Sequence, residues 1–141
     1  IIFGALHPLS SGTSHSAQHA VAGILKAVND GVYNYRDEVL EYGEKAKMMK
    51  DAFTSNGFKF TYDEDLGEPI ADGFYFTYYY PGMTGAELLE EMLYYGVSAI
   101  SLDTCGSTRQ GIRACTSLIQ RDEIPVLAER LKRFAEDHPI K

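Results

Sequence analysis

The sequence predicts an α+β fold, with a small antiparallel or mixed sheet covered by helices on one side and one further helix ahead of it. Three observations lead there. From residue 33 onward the hydrophobic pattern switches in the order helix, strand, strand, helix, strand, strand, helix. The strand segments are short, which suits a small sheet backed by helices. Apolar residues make up 45% of the 141, enough to fill one core.

The elements follow in order. Residues 8 to 14, Pro-Leu-Ser-Ser-Gly-Thr-Ser, form a loop by composition. A helix should run from Ser16 to Asn29, with Ala17, Ala20, Val21, Ile24 and Val28 on one face, Ser14 or Ser16 as cap and Asp30-Gly31 as stop. A longer helix is predicted from Tyr35 to Ser55 on the repeat of Tyr35, Val39, Tyr42, Ala46, Met49 and Phe53. Glutamates fill its first half, and Lys45, Lys47 and Lys50 its second, an order that suits the helix dipole and puts the lysines on the surface. Asn56-Gly57 ends it.

Phe58 to Tyr62 alternates and reads as a strand, and Asp63 to Asp72 as an acidic turn region. Gly73 to Tyr80 is the strongest strand, because aromatic and β-branched side chains fit a pleated surface. Thr84 and Glu87 match a capping box for a helix that carries Leu88, Leu89, Met92 and Leu93 and closes at Gly96. Val97 to Leu102 is a strand, Asp103 to Gln110 a polar loop and Gly111 to Ile119 a further strand. On that strand Ile112, Ala114, Thr116 and Leu118 share one face, and Arg113, Cys115, Ser117 and Ile119 the other. Asp122 should cap the last helix, with Pro125 in its first turn and Ile124, Leu127, Leu131 and Phe134 as its buried stripe.

Charge and composition exclude several functions. A net charge of −7 argues against nucleic acid or an anionic membrane surface as partner, since both need a basic face. No apolar run approaches the roughly 18 residues of a membrane span. Two cysteines, Cys105 and Cys115, are too few for a disulfide scaffold and lack metal-ligand spacing, so a reduced, cytoplasmic setting is expected. Ile1-Ile2-Phe3 reads as the end of a strand, and a piece of a longer protein is expected.

Arg113 stands out as a single cation in a half-buried strand, a placement that is costly unless an anion meets it. Its planar guanidinium suits a carboxylate held by two parallel hydrogen bonds, while a structural ion pair to one of the 20 acidic residues is the plainer alternative. Arg109, in a polar loop, is the second choice. His15 and His19 have a zinc-compatible spacing but no third ligand nearby, so no metal site is expected. The tyrosines Tyr75, Tyr78, Tyr79 and Tyr80 read as core and cross-strand packing.

A small-residue loop from Pro8 to Ser14, the Gln18-His19-Ala20-Val21-Ala22 helix, the long helix from Tyr35, the Gly73-Phe74-Tyr75-Phe76 strand, Gly96-Val97 and the Arg113 strand occur in this order. The series resembles the C-terminal portion of a fold-type-I pyridoxal-phosphate aminotransferase of the aspartate aminotransferase type. The resemblance implies that residues 1–32 are a remnant of the large, cofactor-binding domain and that residues 33–141 are the small domain with its interdomain helix. It further implies that Arg113 binds the substrate α-carboxylate and that Ser11 and Thr13 are weak candidates for contact with the cofactor phosphate. Amino acid and 2-oxo acid substrates, pyridoxal phosphate and a homodimer are implied likewise. The Schiff-base lysine would lie upstream, because none of the seven lysines here has a glycine- and serine-rich setting, so the segment alone should be inactive. Two readings compete with it. One is a non-catalytic α+β interaction module, favoured by the wide apolar face of the first helix, and the other is a lyase or decarboxylase on the same fold.

Overall fold

The computed structural model describes Gly4 and residues 12–70 and 73–140. The described residues fall into two compact units that divide between Val39 and Leu40. The fold is α+β, and the described residues form a four-stranded antiparallel sheet, a separate two-stranded ribbon and four α-helices.

In the first unit α1 spans His15–Asn29. The Ser14 side chain caps it by accepting from the Ala17 amide, and Gly31, at φ 72°, follows its end. No residue of α1 is buried. The long helix α2, Tyr35–Thr54, begins in this unit and continues into the second.

In the second unit α2 buries Ala46, Met49 and Phe53, the C-terminal half of the predicted stripe. The structure corrects the surface placement of Lys45. This residue is 6% exposed, and its Nζ donates to the Ile119 carbonyl at 2.8 Å. It satisfies a backbone acceptor where the chain leaves the sheet, which is what keeps a buried ammonium tolerable. Gly57, at φ 84°, turns the chain out of the helix as expected.

The strands are shorter than the hydrophobic pattern suggests. They are β1 Lys59–Phe60, β4 Tyr75–Tyr79, β5 Ile100–Ser101 and β6 Ile112–Cys115, in the order β1-β4-β6-β5, all antiparallel. The acidic turn region is a ribbon of its own: β2 Glu64–Asp65 pairs with β3 Glu68–Pro69 across Leu66 and Gly67, both at positive φ. Two such residues in succession make the tight turn whose twist matches a hairpin.

The helices α3, Gly85–Tyr94, and α4, Ile124–Asp137, join α2 on one side of the four-stranded sheet. Phe76, Tyr78, Ile112 and Ala114 point from the strands into a core with Phe53, Leu88, Met92, Leu131 and Phe134. Phe53 and Tyr78 stack with centroids 4.2 Å apart and planes within 5°. The capping box of α3 forms as expected: the Thr84 hydroxyl accepts from the Glu87 amide, and the Glu87 carboxylate accepts from the Thr84 amide at 2.8 Å. These bonds hold the Glu87 carboxyl below the usual carboxylate range.

Two expectations near the C-terminus need correction. Asp122 does not cap the last helix. It lies inside a 3-10 turn, Arg121–Glu123, that leads into α4, and the Glu123 carboxylate accepts from the Gln120 amide at 2.7 Å. The last strand ends at Cys115 rather than Ile119, and Leu118 does not share the buried face of Ile112, Ala114 and Thr116. After β6 the Thr116 amide still bonds the Phe74 carbonyl, the chain then bends, and Leu118 is 86% exposed.

Candidate functional site

Arg113 is placed by β6, and β6 is placed by the glycine before it. Gly111 has φ 140°, and a Cβ there would overlap the Tyr78 carbonyl oxygen and the Thr61 hydroxyl. Only glycine lets the strand enter this close to β4. The start of α3 locks the same point: the Gly85 amide donates to the Gln110 side-chain oxygen at 2.7 Å, and a Cβ on Gly85 would press on the Gly111 backbone.

In this register Arg113 lies opposite Thr77 of β4 and Ile100 of β5. All three belong to the sheet face turned away from the helices of this unit. Tyr75 and Ile100 on that face are 55% and 42% exposed, and Arg113 and Cys115 are half-buried. The Arg113 guanidinium lies over the Tyr75 ring, its Cζ 4.4 Å from the centroid. Among the described residues no carboxylate pairs with it and no acceptor takes its hydrogen bonds. A cation held through its face by an aromatic ring keeps its N–H groups, which lie in the guanidinium plane, available for an anion.

Cys115 neighbours the arginine on the same face. Its Sγ lies 3.0 Å from the Ser117 hydroxyl. Desolvation pushes the thiol up, but hydrogen bonds from Ser117 and the Leu118 amide, together with the Arg113 charge, bring it below its ordinary value.

A cavity of about 600 Å³ opens beside β5 and β6. Arg113, Arg130 and Glu123 contribute to its wall, which is otherwise largely apolar and reaches round the sheet edge to the helix side, with Ile100 and Val97, Met49 and Phe53 of α2 and Val126 and Leu127 of α4 among its residues. Arg130 is engaged through Nη1 with the Gly96 carbonyl at 2.6 Å, and Glu123 accepts from the Gln120 amide.

The remaining candidates stand apart from this site. The Arg109 guanidinium donates to the Thr61 carbonyl at 2.7 Å and covers the Tyr62 ring. Thr13 is exposed, and its carbonyl accepts from the Gln18 amide group at 3.1 Å. Ser11 lies outside the described residues. His15 and His19 are exposed, and no group of three potential metal ligands occurs among the described residues. Tyr78 and Tyr80 are core residues as read from the sequence, but Tyr75 is not, and the sequence reading missed it as part of the site. The signal was present in the strand period, since Tyr75 has the opposite parity to the buried Phe76, Tyr78 and Tyr80.

The described residues do not fit pyridoxal phosphate. Lys45, the buried lysine, is bonded to the Ile119 carbonyl and lies 4.8 Å from the Tyr42 ring centroid, so it is committed to structure. The one described residue of the weak phosphate pair, Thr13, is exposed. No known family model matches the chain, and no curated protein sequence matches it.

Proposed function

We propose that this chain is the C-terminal portion of a pyridoxal-phosphate-dependent aminotransferase of the aspartate aminotransferase type, in which Arg113 binds the α-carboxylate of the amino acid or 2-oxo acid. The observation that carries this reading is the half-buried guanidinium of Arg113, seated on Tyr75 with no carboxylate partner among the described residues. A structural arginine at such a position pairs with an acid of its own chain. This one, in a chain of net charge −7, pairs with none among the described residues.

The chemistry assigned to this chain is binding and orientation. Two parallel N–H donors take both oxygens of a carboxylate, which fixes the rest of the ligand relative to β6. The sheet face that carries Arg113, Tyr75 and Ile100 is turned away from the helices of its own unit, which suits a cleft completed by another part of a longer enzyme. The cofactor and its lysine are assigned to that other part. On this reading the enzyme is a cytoplasmic homodimer. No helix among the described residues is long and apolar enough to cross a membrane.

The test has two arms. A 2-oxo acid titrated into the 141-residue chain should perturb the Arg113 side-chain resonances saturably, and Arg113→Gln should weaken binding roughly 10- to 100-fold, as expected for losing a charge-assisted pair. Pyridoxal phosphate added to the same chain should give no saturable imine absorbance at one defined lysine. Imine formation of that kind, or binding indifferent to Arg113→Gln, would overturn the assignment.

A second reading has one observation behind it. Val21, Ile24 and Leu25 of α1 are all more than half exposed. An apolar row of this kind suits a non-catalytic interaction module as well as the dimer contact of an enzyme. Carboxylate binding at Arg113 distinguishes the two, because the module reading has no use for it. A lyase or decarboxylase on the same fold would share the carboxylate site and differ in groups outside this chain.

A further inference from the structure

We propose that the cavity beside β5 and β6 takes the hydrocarbon part of a carboxylate ligand whose carboxylate is held by Arg113, so that the site favours amino or 2-oxo acids with a bulky apolar side chain. The inference rests on the carboxylate role given to Arg113 above and names the substrate class for it.

Size, lining and charge argue for it together. The cavity, at about 600 Å³, is far larger than a carboxylate needs and lies within the range of small-molecule sites. Its wall offers Val97, Ile100, Leu118, Val126 and Leu127 as apolar contacts. The charged residues on the wall are two arginines and one glutamate, a net positive charge in a chain that is otherwise acidic. Of the three, Arg130 is engaged by the Gly96 carbonyl and Glu123 by the Gln120 amide, while Arg113 has no acceptor among the described residues. A cation without an acceptor beside an apolar chamber matches a carboxylate with a hydrocarbon tail.

The experiment is a titration of the full chain with acetate, butanoate, hexanoate and octanoate, followed by calorimetry and by the methyl resonances of Ile100, Val126 and Leu127. Affinity should rise roughly 3- to 4-fold with each methylene that enters the cavity. Arg113→Gln should weaken every member of the series. Val126→Trp, at a half-exposed position on the wall, should flatten the dependence on length while sparing acetate. Binding that needs Arg113 but ignores tail length would overturn the cavity assignment and leave the carboxylate role standing. Length dependence that survives Arg113→Gln unchanged would overturn both the pairing and the carboxylate role, as would no binding by any member.

Discussion

Arg113 and its neighbours concentrate the physical tension of this molecule in a few side chains. A guanidinium over an aromatic ring gains on the order of 0.5–2 kcal/mol and forfeits none of its donors. Replacing Tyr75 with leucine should therefore loosen Arg113 and weaken carboxylate binding several-fold without unfolding the chain, as read by the same titration alongside thermal melting. Cys115 reports the arginine charge from the other side. Its alkylation rate, followed against pH by peptide mass spectrometry, should reach half-maximum below the ordinary thiol value. Arg113→Gln should move that midpoint upward, and an unmoved midpoint would place the guanidinium away from the thiol. Tyr78 presents a different tension. Its ring is wholly buried against Phe53, and its hydroxyl has no hydrogen-bond partner among the described residues. An orphaned buried hydroxyl costs about 1–3 kcal/mol, so Tyr78→Phe should leave stability unchanged or raise it by about 1 kcal/mol in urea unfolding. A clear loss would mean that the hydroxyl has a partner.

At the scale of elements, two short devices set where β6 can lie. Gly111 meets the backbone of β4 at a φ that L-residues avoid, and Gly85 packs the start of α3 against it. Gly111→Ala adds strain and a steric overlap with Tyr78, for a loss of about 2–4 kcal/mol, and should also displace Arg113 enough to impair ligand binding in whatever folds. The capping box is the second device. Thr84→Ala should cost about 1 kcal/mol. Glu87 contributes with a pH dependence whose sign follows from its lowered folded-state pKa: its stabilisation is present above the ordinary carboxylate pKa and is lost as pH falls through the folded value. The stability difference between the wild type and Glu87→Ala should therefore shrink on acidification. Tyr95 behaves in the opposite way. Its hydroxyl donates to Asp137 at 2.8 Å, and that bond, with burial and nearby carboxylates, pushes its pKa up to about 12. Its contribution is complete below the ordinary tyrosine pKa and disappears as pH rises toward 12, a loss that Tyr95→Phe should not show.

For the molecule as a whole, the sheet is the organising object. One face is packed by α2, α3 and α4, and the other carries Arg113, Tyr75, Ile100 and Cys115. Stability belongs to the first face. Phe53→Ala, which removes the ring stacked on Tyr78, should cost about 3–5 kcal/mol in chemical unfolding, far more than any substitution on the second face. Arg113 and Tyr75 lie on the second face, so substitutions there should leave unfolding nearly unchanged, whereas Phe53, which also lines the cavity beside β5 and β6, should affect both unfolding and any binding in that cavity.

Much of this was legible in the chain itself, because it depends on neighbours a few residues apart. The helix periods, the Thr84–Glu87 box, the glycine stops at Gly57 and Gly96 and the alternation of Arg113 with Ile112 and Ala114 are local facts of backbone geometry. The α+β class followed from their order. What only the tertiary structure decided depends on contacts across long stretches of sequence. Lys45 is buried because the carbonyl of Ile119, far along the chain, needs a donor. Leu118 is exposed because the strand stops pairing and bends before it. Tyr75 meets Arg113 because β4 and β6 pair in one register, and no local pattern in either strand specifies which residue will lie beside which.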